Sequence, residues 1–299
     1  MNSKNIVNGA LMVAVAVIMV LIGSYVPPLF FILFFVSVPV SVVIIRSNSL
    51  LYGILTTPLI FLATFLFTDI ITASIVVALS AIGIAMGYFV KSGSRPQDVV
   101  VETGAISLLG FVGVLYALKL FGINVIKSII DDYQQIGNQI LDIYKNSPDA
   151  AYIRSMISYT LESLKELMPS IFIIMIALIV LVNYMLLSRI MAKEGKVKKL
   201  PPFMFWRMPY MTGWIFIGAL LYQYFVNSSV VASNLLLLLS IGFTVSGLSY
   251  VKYFMTKRFN VNSLISDVVL VALFMFPITF SLMTLLGVID TSMNLRRFT

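Results

Sequence analysis

Residues 6–26 read IVNGALMVAVAVIMVLIGSYV, a stretch of 21 positions without one charged side chain. A helix crosses the hydrocarbon core of a bilayer with about 20 mostly apolar residues, in a range of about 17–25. The stretch is therefore long enough to span. A cleaved secretory signal would need a shorter apolar core, a more basic start and a small-residue cleavage site. Met1–Val26 has one lysine, too long an apolar run, and Pro27 directly after it. It is expected to stay as a first membrane helix.

Outward from it the pattern repeats. Leu29–Ile45, Leu50–Thr68 and Ile70–Val90 are also free of charge, and Val99–Leu118 holds only Glu102 near its start. Pro169–Leu187, Met208–Val226, Val230–Val251 and Val268–Ile289 bring the expected number of spans to nine. Of the 299 residues, 60% are apolar and 11% charged, and the mean hydropathy is +1.02. Soluble domains carry roughly a quarter charged residues, so no water-facing shell can be assembled from this chain. The expected fold is an all-α, polytopic membrane helix bundle solvated mainly by lipid.

The sequence has no histidine and no cysteine. Thiol nucleophiles, disulfides and the preferred transition-metal ligands are thus absent, as is the commonest general base near neutral pH. No phosphate-binding glycine loop or paired-histidine zinc motif occurs. Neither an enzymatic role nor a cofactor or metal is expected. The net charge of +8 is read as cytoplasmic loops beside anionic lipid, with no nucleic-acid partner.

Charge placement gives an orientation. With the N-terminus in the cytoplasm and nine spans, the inner segments hold 13 basic residues against four acids, and the outer ones seven against eight. The excess is +9 inside and −1 outside, as the positive-inside rule requires. A cell-membrane location follows. An odd number of spans leaves Arg296 and Arg297 outside.

Two stretches do not span. In Ile123–Leu167, apolar residues recur at helical spacing (Ile126, Ile130, Tyr133, Ile136, Ile140, then Ile153, Ile157, Leu164), with Ser147-Pro148-Asp149 between the two series. That pattern predicts two amphipathic helices forming an extracytoplasmic hairpin over 123–167. Such a hairpin serves as a lid or docking arm, or simply as a structural element. Lys196, Lys198 and Lys199 are followed by Trp206 and Arg207. Lysines beside aromatics suit an anchor at the membrane interface. This segment divides the expected organisation into a six-helix unit, residues 1–192, and a basic segment with three more helices, residues 193–299.

Small residues four apart allow close helix approach in lipid. Ala10 with Ala14 and Gly83 with Gly87 have this spacing, as does Gly242 with Ser246. Ionisable groups are scarce within spans, and each of them lies near an interface. Asn183 is uncharged but sits in an otherwise apolar helix. Tyr25, the turn Pro27-Pro28 and Asp69 cluster at expected outer ends of spans. With Asn183 they are the candidate ligand-binding residues, for a small, partly apolar molecule entering from outside.

The opening Ala10-Leu-Met-Val-Ala14, the Pro27-Pro28 turn and six spans ending near Arg189 resemble the S components of energy-coupling factor (ECF) vitamin transporters. The whole chain, with its hairpin and three extra helices, looks like the YybS-like family of bacterial membrane proteins, a distant relative. The resemblance implies that Ala10 and Ala14 contact a membrane coupling subunit and that the Pro27-Pro28 segment helps close over substrate. It implies substrate binding or transport. The alternative is a scaffold that recruits a protein partner through the outer hairpin or the basic loop.

Overall fold

The computed structural model describes residues 3–226 and 229–297. Every regular element among them is helical. α1 is Ser3–Tyr25; a 3-10 helix, Pro27–Phe35, leads into α2, Ser37–Ser47. Then come α3 (Leu50–Phe67), α4 (Ile70–Lys91), α5 (Pro96–Leu120), α6 (Val125–Tyr144) and α7 (Ala150–Ile190). α8 (Tyr210–Phe225), α9 (Val230–Arg258), α10 (Ser263–Phe274) and α11 (Pro277–Met293) follow.

Among the described residues seven helices are long and apolar enough to cross a membrane, or eight if the bent pair α10–α11 is taken as one span. The expected nine differ from this at two places. Met208–Val226 is realised as α8, whose 16 residues reach only ~24 Å at 1.5 Å per residue. Val268–Ile289 is not one helix: α10 and α11 meet at a bend of 115°. Pro277 opens α11, and Phe276 before it is extended at φ −97°, ψ 121°. A proline has no N–H to continue the ladder and excludes the helical region for the residue before it. The sixth span differs as well. The second amphipathic segment runs into it without a break, giving the 41 residues of α7 with Pro169 inside.

The chain divides into two compact units, Met1–Tyr133 with Ile173–Leu200, and Gln134–Phe172 with Pro201–Thr299. In the first, α2 is the centre, and every residue from Ser37 to Ile45 is buried. α4 lies directly on it. A Cβ on Gly83 would meet the Ser37 carbonyl and Val40, and one on Gly87 would meet Ile44. The small-residue pair Gly83 and Gly87 is thus a helix–helix contact, with Ser41 Oγ donating across it to the Gly83 carbonyl at 2.9 Å. The segment after α7 stays with this unit. The Tyr184 hydroxyl donates to the Lys198 carbonyl at 2.7 Å, Arg46 pairs with Glu194 at 2.8 Å, and Val197 is buried in the core. These contacts keep residues 192–200 with the first unit.

In the second unit α9 and α11 cross at two glycines. A Cβ on Gly247 would fall on the Met283 carbonyl, and one on Gly287 on the Phe243 carbonyl. Thr244 and Thr284 share a hydrogen bond of 2.8 Å one turn along. Contacts therefore advance together along both helices, so α11 runs parallel to α9. Beyond its end, Arg296 donates to the carbonyls of Met204 (2.6 Å) and Trp206 (3.0 Å) and to Ser249 Oγ (3.2 Å). It also pairs with the buried Asp290 at 2.9 Å and lies over the Tyr253 ring. α10 begins at this same end, where Lys252 pairs with Asp267. The pair α10–α11 thus enters and leaves on one side of the unit, whereas nine full spans would put Arg296 on the opposite side.

The amphipathic helices α6 and α7 touch where Gly137 faces Ile157. The other end of α9 holds α7 through Asn234. Its Oδ1 accepts from the Ser170 N–H at 2.9 Å and its Nδ2 donates to the Glu166 carbonyl at 2.7 Å.

Candidate functional site

A cavity of about 250 Å³ lies within the first unit, between α4, α5 and α7. α4 contributes Ile71, Ile75 and Ile82, α5 contributes Phe111 and Leu118, α7 contributes Met175 and Ile179, and Phe34 comes from the 3-10 helix. Of its fifteen lining residues Ser107 alone is polar. A second cavity of about 340 Å³ lies on the other side of Val114 and Leu118, which line both.

The cavity has a direction. α4 and α7 descend from the Asp69 end of the unit, and α5 rises towards it. The lining begins at Ile71, two residues after Asp69. It ends on Ile82 of α4, Ile179 of α7 and Ser107 of α5. Beyond that lower end, one turn on, stand Asn183 and Thr103, both fully buried. Asn183 Nδ2 donates to the carbonyls of Phe34 and Ile179, each at 2.8 Å. Two carbonyl partners fix which end of the amide is which, leaving Oδ1 as a bare acceptor. Asn183 Oδ1, Thr103 Oγ1, Ser107 Oγ and Ser37 Oγ are all buried with no hydrogen-bond partner among the described residues. A buried polar atom left unpaired costs about 1–3 kcal/mol; of these four, Ser107 is the one on the cavity wall.

Of the residues singled out from sequence, Tyr25 and Asp69 come together at the upper end of this unit. Tyr25 is 66% exposed, and its hydroxyl donates to the Phe67 carbonyl. Asp69 is the N-cap of α4: Oδ1 accepts from the N–H groups of Ile71 (2.8 Å) and Thr72 (3.0 Å), and Oδ2 from the Thr72 hydroxyl (2.7 Å). The Thr72 hydroxyl and N–H hold its carboxyl below the usual carboxylate range. Pro27 and Pro28 start the 3-10 helix instead of a bare turn, and both are exposed. None of these four lines the cavity. Asn183 does not line it either, but sits one turn beneath its floor.

Ala10 and Ala14 are exposed, and the face of α1 packed within the chain is carried by Ala16 and Val20. At the opposite end of the unit from Asp69, the Arg46 guanidinium holds the Glu194 carboxyl below its usual range, and Lys196 stands 3.5 Å from the other oxygen. Lys198 and Lys199 are exposed. Trp206 Nε1 donates to the Pro201 carbonyl at 2.9 Å, and the Arg207 side chain donates to Asn294 Oδ1, which ties residues 201–207 into the second unit. Ser107 and Thr103 carried a readable signal, two hydroxyls four apart on an apolar helix. Phe34 gave none.

The sequence matches the family described as predicted membrane protein (DUF2232) over residues 14–291, and the chain belongs to that family. No curated protein and no solved structure matches it.

Proposed function

We propose that this member of the DUF2232 family is a substrate-binding or transport-related protein of the cell membrane, holding a small, largely apolar ligand in the α4–α5–α7 cavity. The observation that carries the reading is the cavity itself: concave and mostly apolar, with a polar group on its wall, it has the character of a small-molecule site. At about 250 Å³ it lies just below the ~300 Å³ edge of drug-sized sites, so the ligand is small. The role is one of binding, with no catalytic residue assigned.

The proposed orientation keeps the N-terminus in the cytoplasm and opens the Asp69 end outward. Counting α8 as a crossing, eight helices cross, and α10–α11 is a re-entrant pair that leaves both termini inside. Placing Asp290, Arg296 and Arg297 inside raises the inner excess from +9 to +10, in the direction the positive-inside rule favours. In the resemblance to ECF S components, the exposed Ala10 and Ala14 would meet a membrane coupling subunit. A second reading, recruitment of a protein partner by an outer hairpin of α6 and α7, draws on the exposed Tyr133, Ile136 and Ile143.

The test is a thermal-shift screen of the purified chain in detergent, with mass spectrometry of copurifying small molecules. A true ligand raises the apparent melting temperature in proportion to ln(1 + [L]/Kd). Ala78→Phe, which fills the cavity from α4, should abolish the shift while the variant still folds. Shifts that persist unchanged in this variant would move the site elsewhere.

A further inference from the structure

We infer that the cavity selects a neutral amphiphile: an apolar body with one uncharged hydrogen-bonding head, bound with that head at Ser107. The inference rests on the binding role proposed above and adds the chemical class and pose of the ligand.

The wall excludes charge. No ionisable side chain lines the cavity among the described residues, and its one polar lining residue is a serine. An unpaired ion taken into such surroundings loses several kcal/mol of hydration, with nothing there to replace it. The polar groups are also all at one end. Ser107 marks the lowest lining position on α5; Thr103 and Asn183 follow one turn further. Ser107 Oγ is buried with no hydrogen-bond partner among the described residues, and as a hydroxyl it can both donate and accept. A hydroxyl or primary amide head can donate to that oxygen and also accept from it. A hydrocarbon leaves it unpaired, and a carboxylate or an ammonium brings a charge that one hydroxyl does not offset.

The experiment uses the full chain in detergent with a diazirine-bearing long-chain alcohol as photoprobe, the labelled residues being mapped by peptide mass spectrometry. Competitors are 1-octanol, octanamide, octane, octanoate and octylammonium. Labelling is expected on cavity residues such as Phe111 and Ile176. It should be competed by the alcohol and the amide, and at least about fivefold less well by the alkane and the two ions, the equivalent of ~1 kcal/mol for one hydrogen bond. Ser107→Ala should bring alcohol and alkane level. That change loses only an unpartnered hydroxyl, so the gap should close without loss of stability. Equal competition by alcohol, alkane and ions in the natural sequence overturns the polar floor and leaves the cavity reading standing. Absence of any label in the cavity defeats the binding role as well.

Discussion

Pro169 lies inside α7 and has no N–H for the carbonyl one turn back, and one side chain from α9 bonds the backbone beside it. Asn234 takes the Ser170 N–H and returns a donor to the Glu166 carbonyl; the Ser170 hydroxyl donates to it as well, at 2.7 Å. In lipid or protein no water stands ready to satisfy those backbone groups. Asn234→Leu should therefore destabilise the protein by ~2 kcal/mol, read as an earlier unfolding midpoint in denaturant. An unshifted midpoint would mean that the helix closes its own ladder at Pro169. Asp69 is the matching case at a helix start. Asp69→Ala should cost about 1 kcal/mol, whereas Asp69→Asn keeps an acceptor for the same N–H groups. Its folded carboxyl lies below the usual carboxylate range, so its contribution is complete above that range and is lost as the pH falls through the lowered value. A stability profile measured down to acid pH should show that loss in the natural sequence and not in Asp69→Asn.

Among the elements, α9 and α11 depend on the absence of side chains where they cross. At Gly287 an added methyl would meet the Phe243 carbonyl, which is backbone and cannot swing aside. Gly287→Ala should thus cost at least the ~1–3 kcal/mol typical of overpacking. Gly104 on α5 has nothing within 4 Å of such a methyl, and Gly104→Ala should be neutral or stabilising by up to about 1 kcal/mol through helix propensity. Comparing the two in the same thermal assay separates steric exclusion from propensity, and equal effects would remove the close crossing. The break before α11 also has its polar groups covered. The Thr279 hydroxyl is placed against the Leu273 and Phe276 carbonyls that the bend releases.

At the scale of the whole molecule, topology is open to direct measurement because the sequence contains no cysteine. Single cysteines at Ser147, Lys257 and Met293 test the second unit end to end. Ser147 lies beyond the Asn234 end of α9, whereas Lys257 and Met293 share the end held by Arg296. With an impermeant thiol reagent on intact cells, Ser147→Cys should react, and Lys257→Cys and Met293→Cys should stay silent until the membrane is opened. Labelling of Met293→Cys with Lys257→Cys silent would restore α10–α11 to a full span and defeat the re-entrant reading.

Membrane class, helical content and most spans were legible in the sequence, because lipid imposes a length and a polarity on each crossing one segment at a time. The same local logic showed Gly83 with Gly87 as a packing pair and Asn183 as an anomaly worth a role. It did not separate a spanning helix from a bent pair at 268–289, since both satisfy the same hydropathy and differ only in what Pro277 does against its neighbours. Nor did it distinguish Ala10 and Ala14, which are exposed, from Ala16, which is buried: small residues permit close packing on any face, and the partner helix chooses the face. Asp69 looked like a pocket residue until its oxygens were seen to be occupied by α4. The cavity and the parallel crossing of α9 and α11 were decided by tertiary structure alone, because each joins residues far apart in the chain whose individual environments carry no trace of the others.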